Sequence, residues 1–281
     1  MQTSSLQSSS DKPEFALSHL TLIGCSAPEL VYIAARCGYD AISPRFIPMH
    51  VDGEFPCYPE DSDIVHATKT ALEATGIKVN ELELIKIHDG LVASEVEQAI
   101  ALGGELGAKH MITSAWTSEN KGVNFIVDRY AELCELAAQY NMTVDLEFPT
   151  FSSLKTLSQA AEVVRGANQS NGGILIDTIY TYFSQLDLSE LYNLPQEWFR
   201  FVHIADVPHQ LPTTRKGQIE IARAGRLYPG EGAINFKEIM RYLPPVTYSI
   251  ELPNHKRVAE LGYEEHARRA LKAARKSLID Q

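Results

Sequence analysis

Four runs of this 281-residue chain share one form, in which apolar or β-branched residues lead to one ionisable side chain at the C-terminal end. They are Thr143-Val144-Asp145-Leu146-Glu147-Phe148, Gly173-Ile174-Leu175-Ile176-Asp177-Thr178, Phe201-Val202-His203-Ile204-Ala205-Asp206-Val207 and Val246-Thr247-Tyr248-Ser249-Ile250-Glu251-Leu252. Such runs read as short buried strands, and a polar group where the strand turns toward solvent needs a reason. In chain order they offer Glu147, Asp177, His203 and Glu251. Three carboxylates and a neutral imidazole suit one divalent ion, whether Mn²⁺, Mg²⁺, Co²⁺ or Zn²⁺, and leave room for a substrate carbonyl and hydroxyl. A lone acid at a strand end is more often a helix cap or an ion-pair partner. Four on successive strands argue for a site.

The rest of the chain supplies elements that position them. Strands are expected at residues 20–25, 40–46, 78–87 and 109–114, ahead of the four ligand runs. Helical patterns lie between them: Ser26-Ala27-Pro28-Glu29 has capping-box spacing and an early proline, and the helix it opens stops at Gly38. Further helices are expected at 61–75, 94–106, 123–140, 153–165, 186–193 and 263–278, with Asn235-Phe236-Lys237-Glu238 opening another. Strands and helices alternating about every 30 residues are the pattern of an α/β fold of the (β/α)8 TIM barrel type. The rival doubly wound fold would carry a Gly-rich turn after its first strand, and Gly24-Cys25-Ser26-Ala27-Pro28 is not G-x-G-x-x-G. In a barrel, all C-terminal strand ends face one mouth.

Composition narrows the partner. A hydrophobic content of 44% supports a sizeable core, and a net charge of −11 argues against binding a phosphate backbone. The partner expected is a small molecule, with neither nucleic acid nor membrane involved. Cys25, Cys37, Cys57 and Cys134 show no CxxC spacing and read as reduced thiols of a cytoplasmic protein. Residues 1–17, opening on a stretch rich in Ser and Gln up to about Lys12, read as a disordered tail before a single barrel domain at 18–281.

With these runs in view, the chain resembles the xylose isomerase-like TIM barrels over about residues 18 to 279. The likeness is to the sugar phosphate isomerase/epimerase branch, which also holds inosose dehydratases, ketose 3-epimerases and 3-dehydroshikimate dehydratases. It rests on Glu147 in Asp-Leu-Glu-Phe, Asp177 in Ile-Asp-Thr, His203 in Val-His-Ile-Ala-Asp and Glu251 in Ser-Ile-Glu-Leu. It rests also on Gly225-Arg226-Leu227-Tyr228-Pro229-Gly230-Glu231-Gly232, similar to the R-x-x-P-G-E-G segment of that branch. The resemblance implies one divalent metal held by Glu147, Asp177, His203 and Glu251, and barrels that pair as a homodimer. It implies that Glu147 and Glu251 move a proton beside a metal-polarised carbonyl, one on each face, while Asp177 and His203 serve as ligands only. The implied activity is isomerisation or epimerisation of a small sugar, polyol or related keto compound. The alternative is a dehydratase of the inosose or 3-dehydroshikimate type.

Candidate substrate contacts are Arg45, His88, Trp116 and Arg226. Arg45 either grips a carboxylate or phosphate bidentately or forms a surface salt bridge. Lys86 and His88 reach the mouth or stand on a solvated strand face. Trp116 walls the pocket or simply packs. Arg226 flanks the long 207–233 loop, a candidate lid, where the alternative to a substrate contact is a loop-to-scaffold salt bridge.

Overall fold

The structure, a computed structural model, describes residues 13–49, 53–55 and 57–279. Its strands are β1 Phe15–Ser18, β2 Ala41–Ser43, β3 in two pieces, Lys78–Val79 and Glu81–Ile87, β4 His110–Ala115, β5 Thr143–Glu147, β6 in two pieces, Gly172–Ile174 and Ile176–Asp177, β7 Phe201–Ile204 and β8 Thr247–Ile250. All pairings are parallel, and β1 pairs with both β2 and β8, at Leu17↔Ile42 and Leu17↔Ile250. The six-stranded and four-stranded sheets meet where β3 and β6 are interrupted. There Asn80 donates to Ile42 O at 2.9 Å, and Leu175 donates to Leu146 O at 3.1 Å. The ring is therefore a closed eight-stranded (β/α)8 barrel.

Helices α1 Ala27–Cys37, α2 Ser62–Thr75, α3 Glu97–Glu105, α4 Val123–Ala138, α5 Leu157–Ala167, α6 Thr178–Phe183, α7 Arg215–Ala224, α8 Phe236–Met240 and α9 His255–Leu278 surround it. Local chemistry sets many of their ends. Asp61, Thr156, Thr214 and Asn235 accept N-cap bonds from the first turns, and Gly38 and Gly76 close helices in the left-handed region. The main core lies between ring and helices, joining Leu17 and Ile85 of the strands to Leu30, Leu133 and Leu271 of the helices. Among the described residues no helix is long and apolar enough to cross a membrane.

The first strand is an instructive correction. It is Phe15–Ser18, so residues 15–17 are sheet rather than tail, and residues 1–12 lie outside the described residues. The stretch expected as a strand at 20–25 instead opens with a 3-10 turn, His19–Leu22. Ser18 Oγ accepts from Leu20 N at 3.2 Å, and Thr21 Oγ1 donates to Ile250 O at 2.7 Å while accepting from Leu252 N at 2.9 Å. These side chains compete with a ladder and turn the chain over the mouth. Two smaller differences bear on the site. The 207–233 loop carries α7, and the last helix begins at His255 with a non-helical step at Gly262.

Inside the ring, Ile112, Leu175 and Phe201 form a separate apolar layer, with Leu84 packed against it. Each of the first three stands two residues before Ser114, Asp177 or His203, so by strand alternation the layer floors the mouth. Below it, Arg200 Nη1 meets Asp145 Oδ1 at 3.0 Å. Gly173 makes space for that pair, since a Cβ there would lie 2.1 Å from Arg200 Nη1 and 2.7 Å from Asp145 Oδ1.

Candidate active site

Glu147 ends β5, Asp177 ends β6, His203 lies in β7 and Glu251 follows β8, so parallel strands carry all four to one end of the barrel. Asp177 and His203 are cross-strand partners, as are His203 and Ser249. One ligand atom from each of Glu147, Asp177, His203 and Glu251 lies within 4.8 Å of the others, and all four residues are buried. His203 Nδ1 is 3.4 Å from Glu251 Oε2 and 3.9 Å from Glu147 Oε1, yet makes no hydrogen bond. A buried imidazole nitrogen without a partner, facing carboxylates, is the donor arrangement a divalent cation needs.

The electrostatics point the same way. Burial, then the charges of Glu251 and Asp177, push Glu147 well above the usual carboxylate range. Burial also raises Asp177, against the pull of Arg226. For Glu251 burial is outweighed by His203 and Arg226, which hold it at about 2. Burial would lower His203, but Glu251 and Glu81 outweigh it and raise the ring well above its ordinary value. A divalent cation would supply the positive charge that a proton supplies there in its absence.

Arg226 is only 2% exposed. Its Nη1 is 2.9 Å from Asp177 Oδ2, its Nη2 is 2.8 Å from Glu251 Oε2, and it also donates to Glu251 O and Ala222 O, both at 2.9 Å. The expected loop arginine is thus a clamp on two of the four ligand side chains, although it also lines the cavity above them. Asp206 aims it. Backbone bonds between Asp206 and Leu227 fix the residue after Arg226, and the Asp206 carboxylate accepts from the N–H groups of Val207, Gly230, Gly232 and Ile234.

The mouth opens into a cavity of about 460 Å³ lined by Glu147, Glu251, Lys86, Trp116 and Tyr180, among others. Trp116 is held by a 2.8 Å bond from Nε1 to Ser114 Oγ and stands 6.0 Å from the Phe151 ring. Two expected contacts lie elsewhere. Arg45 is buried and pairs with Glu83 at 2.9 Å, under the loop that holds Glu54 and Cys57, so it is neither a cavity contact nor a surface salt bridge. His88 is exposed, and its Nδ1 accepts from Gly90 N at 3.2 Å.

Sequence reasoning missed Glu81. Its Oε1 lies 3.3 Å from His203 Nε2 and accepts from Ser249 Oγ at 2.5 Å, while Asn80 Nδ2 bonds its other oxygen at 2.5 Å. Glu81 therefore holds the far side of the imidazole and leaves Nδ1 to face the other carboxylates. Glu83, bonded to Ser18 and Arg45, completes this buried layer. Burial is the leading cause that raises Glu83 to about 7. The available signal was Glu81-Leu82-Glu83, two acids on one face at the start of a strand whose other residues, Lys78 and Lys86 apart, are apolar.

The family model described as xylose isomerase-like TIM barrel matches residues 31–277. The chain belongs to this family. Among its relatives, a 3-dehydroshikimate dehydratase of Pseudomonas aeruginosa is 29% identical over 125 residues, 44% of this chain and 19% of that protein. An inosose isomerase of Bacillus subtilis is 24% identical over 182 residues, covering 62% of this chain and 63% of that one. The chain thus spans less than two thirds of the length of either curated relative. A crystal structure of IOLI protein with a binding zinc atom superposes with a TM-score of 0.79 at 20% identity, over 95% of this chain and 98% of that one. At that identity the likeness is one of fold: this chain is a xylose isomerase-like barrel with its acidic and histidine cluster at the mouth.

Proposed function

We propose that this xylose isomerase-like barrel is a divalent-metal-dependent isomerase or epimerase of a small sugar, polyol or related keto compound. The observation that carries the reading is the convergence of Glu147, Asp177, His203 and Glu251 within 4.8 Å beneath a cavity of small-molecule size. The four residues would hold the ion, which when bound polarises a substrate carbonyl and so makes the neighbouring C–H acidic. A zinc atom is named for the structural neighbour, and an inosose isomerase stands among the relatives; both support this assignment.

The proton is then the task of Glu147 and Glu251, the two ligands that also line the cavity. Their surroundings differ. Glu251 is tied to Arg226, whereas the Glu147 carboxylate has no hydrogen-bond donor among the described residues. Glu147 is free to take a proton from carbon or return it, and Glu251, steadied by the guanidinium, serves the other face. Arg226 and Glu81 hold the set in place. Trp116, Phe151 and Tyr180 wall the cavity and give it an apolar side. The four free cysteines accord with a cytoplasmic setting.

A second reading, a dehydratase, is favoured by the 3-dehydroshikimate dehydratase relative. One assay separates the two. Metal-loaded protein is incubated in heavy water with ketohexoses, their phosphates, inososes and 3-dehydroshikimate. An isomerase or epimerase places deuterium on carbon without net loss of water, and a dehydratase generates new ultraviolet absorbance. Absence of both, with metal bound, overturns the assignment.

A further inference from the structure

Strand β3 does something that alternation alone would not produce. Glu81 and Glu83 face the barrel interior, so a regular strand would next turn Ile85 and Ile87 inward. Instead the pairing with β4 shifts between Leu82 and Ile85. Ile85 and Ile87 pack in the core between ring and helices, Leu84 packs on the interior apolar layer, and Leu84 and Lys86 both line the central cavity. A bulge of this kind re-aims side chains. Here it aims a lysine at the site.

Lys86 is half-buried, and its ammonium makes no hydrogen bond or ion pair among the described residues. Arg45 and Arg223 repel its charge and Glu54 attracts it, the Glu54 carboxylate itself accepting from Met49 N at 2.9 Å. Burial first, then Arg45 and Arg223, lower the lysine's proton affinity, so its charge is under-compensated. The cavity has the same bias. Apart from Glu147, Glu251 and Arg226, its lining carries Lys86, Arg223 and His255 and no further Asp or Glu. Arg223 also stands in the last turn of α7, where a cation complements the helix dipole, so Lys86 carries the argument.

We propose that Lys86, assisted by Arg223, binds an anionic substituent of the substrate, a carboxylate or a phosphate. The inference rests on the isomerase or dehydratase reading of the same site, and it narrows that reading to acidic keto compounds over neutral sugars. An ammonium is a point charge that takes either anion without bidentate geometry, and a half-buried one gains most from a partner.

The test uses ligands that contain no ketone, so that binding is read apart from turnover. Titration calorimetry on the full, metal-loaded chain compares quinate, a cyclic polyol carboxylate, and inorganic phosphate with neutral myo-inositol. We expect at least one anion to bind about tenfold or more tightly than myo-inositol, the scale of one charge-assisted contact. Quinate or phosphate as the tighter probe identifies the carboxylate or the phosphate as the source. Lys86→Met should abolish the preference by bringing the affinity for the anion down to about that for myo-inositol, and Lys86→Arg should keep it, with circular dichroism checking that each variant is folded. A preference that survives Lys86→Met would put the anion on the metal and overturn the proposal. So would equal binding of all three probes. If the anion preference depends on Lys86 but no keto compound is turned over, the subsite stands and the reaction class falls.

Discussion

Asp206 Oδ2 accepts a hydrogen bond from the backbone N–H of Gly232 at 2.9 Å, in a spot where a Cβ on residue 232 would lie 2.0 Å from Val207 O and 2.7 Å from Asp206 Oδ1. The glycine lets the loop approach close enough for the carboxylate to gather its backbone donors, and the same fold-back sets Arg226 against Asp177 and Glu251. Gly232→Ala should therefore cost about 1–3 kcal/mol of stability, the range of an overpacked contact. Asp206→Asn, which replaces a charged acceptor facing N–H donors, should cost roughly 2 kcal/mol. Urea unfolding measures both, and a metal-affinity titration should show weakening in each variant if the loop positions Arg226.

Arg226 is a buried cation shared by two buried carboxylates, so Arg226→Met should destabilise the metal-free protein by about 3–5 kcal/mol. Added Mn²⁺ or Zn²⁺ should restore part of that loss, because the ion replaces the missing positive charge beside Asp177 and Glu251. Unfolding curves in chelator and in excess metal decide it. Equal losses in both would mean the arginine acts only in packing.

His203→Ala should lose metal affinity by about tenfold or more, read as metal content after dialysis against a mild chelator. Glu147→Gln and Glu251→Gln keep one ligating oxygen but cannot act as a base. Each should retain much of the metal and lose roughly 10²-fold in turnover. Near wild-type turnover in both variants would assign proton transfer elsewhere, with Lys86 the next group to test.

Acid should loosen the fold through two buried histidines outside the ligand quartet. His19 Nδ1 accepts from Arg45 N at 3.2 Å and Nε2 donates to Cys25 O at 2.8 Å; His266 Nδ1 accepts from Tyr228 Oη at 2.8 Å and Nε2 donates to Leu252 O at 3.3 Å. Both rings are held neutral, and burial is the leading cause that lowers each from 6.5 to about 4. The unfolded chain then binds more protons than the native one between those values. Their contribution is complete above about pH 6.5 and falls as the pH drops toward 4, by up to about 3 kcal/mol per ring. Urea midpoints at pH 7 and 4.5 test the direction, and His266→Gln should make the acid loss shallower.

Much of this molecule is local. The four ligand runs are apolar strands with an ionisable end, and the helices between them open at Asp61, Thr156 and Asn235 and close at Gly38 and Gly76, all decided by neighbours a few residues apart. Such features make the barrel and the quartet Glu147, Asp177, His203 and Glu251 legible in the sequence, because parallel strands send their C-terminal ends to one mouth. What supports the quartet is not local. Glu81 reaches His203 across 122 residues, Arg226 reaches Asp177 across 49, and Arg45 turns from the mouth to Glu83 across 38. No periodicity records which charge will meet which. The bulge in β3 goes further, since it reverses the alternation by which Lys86 would be assigned a face. Closure of the ring and of the loops over it decided those partners, because burying a charge inside a barrel is tolerable only where a distant segment of the chain supplies its counterpart.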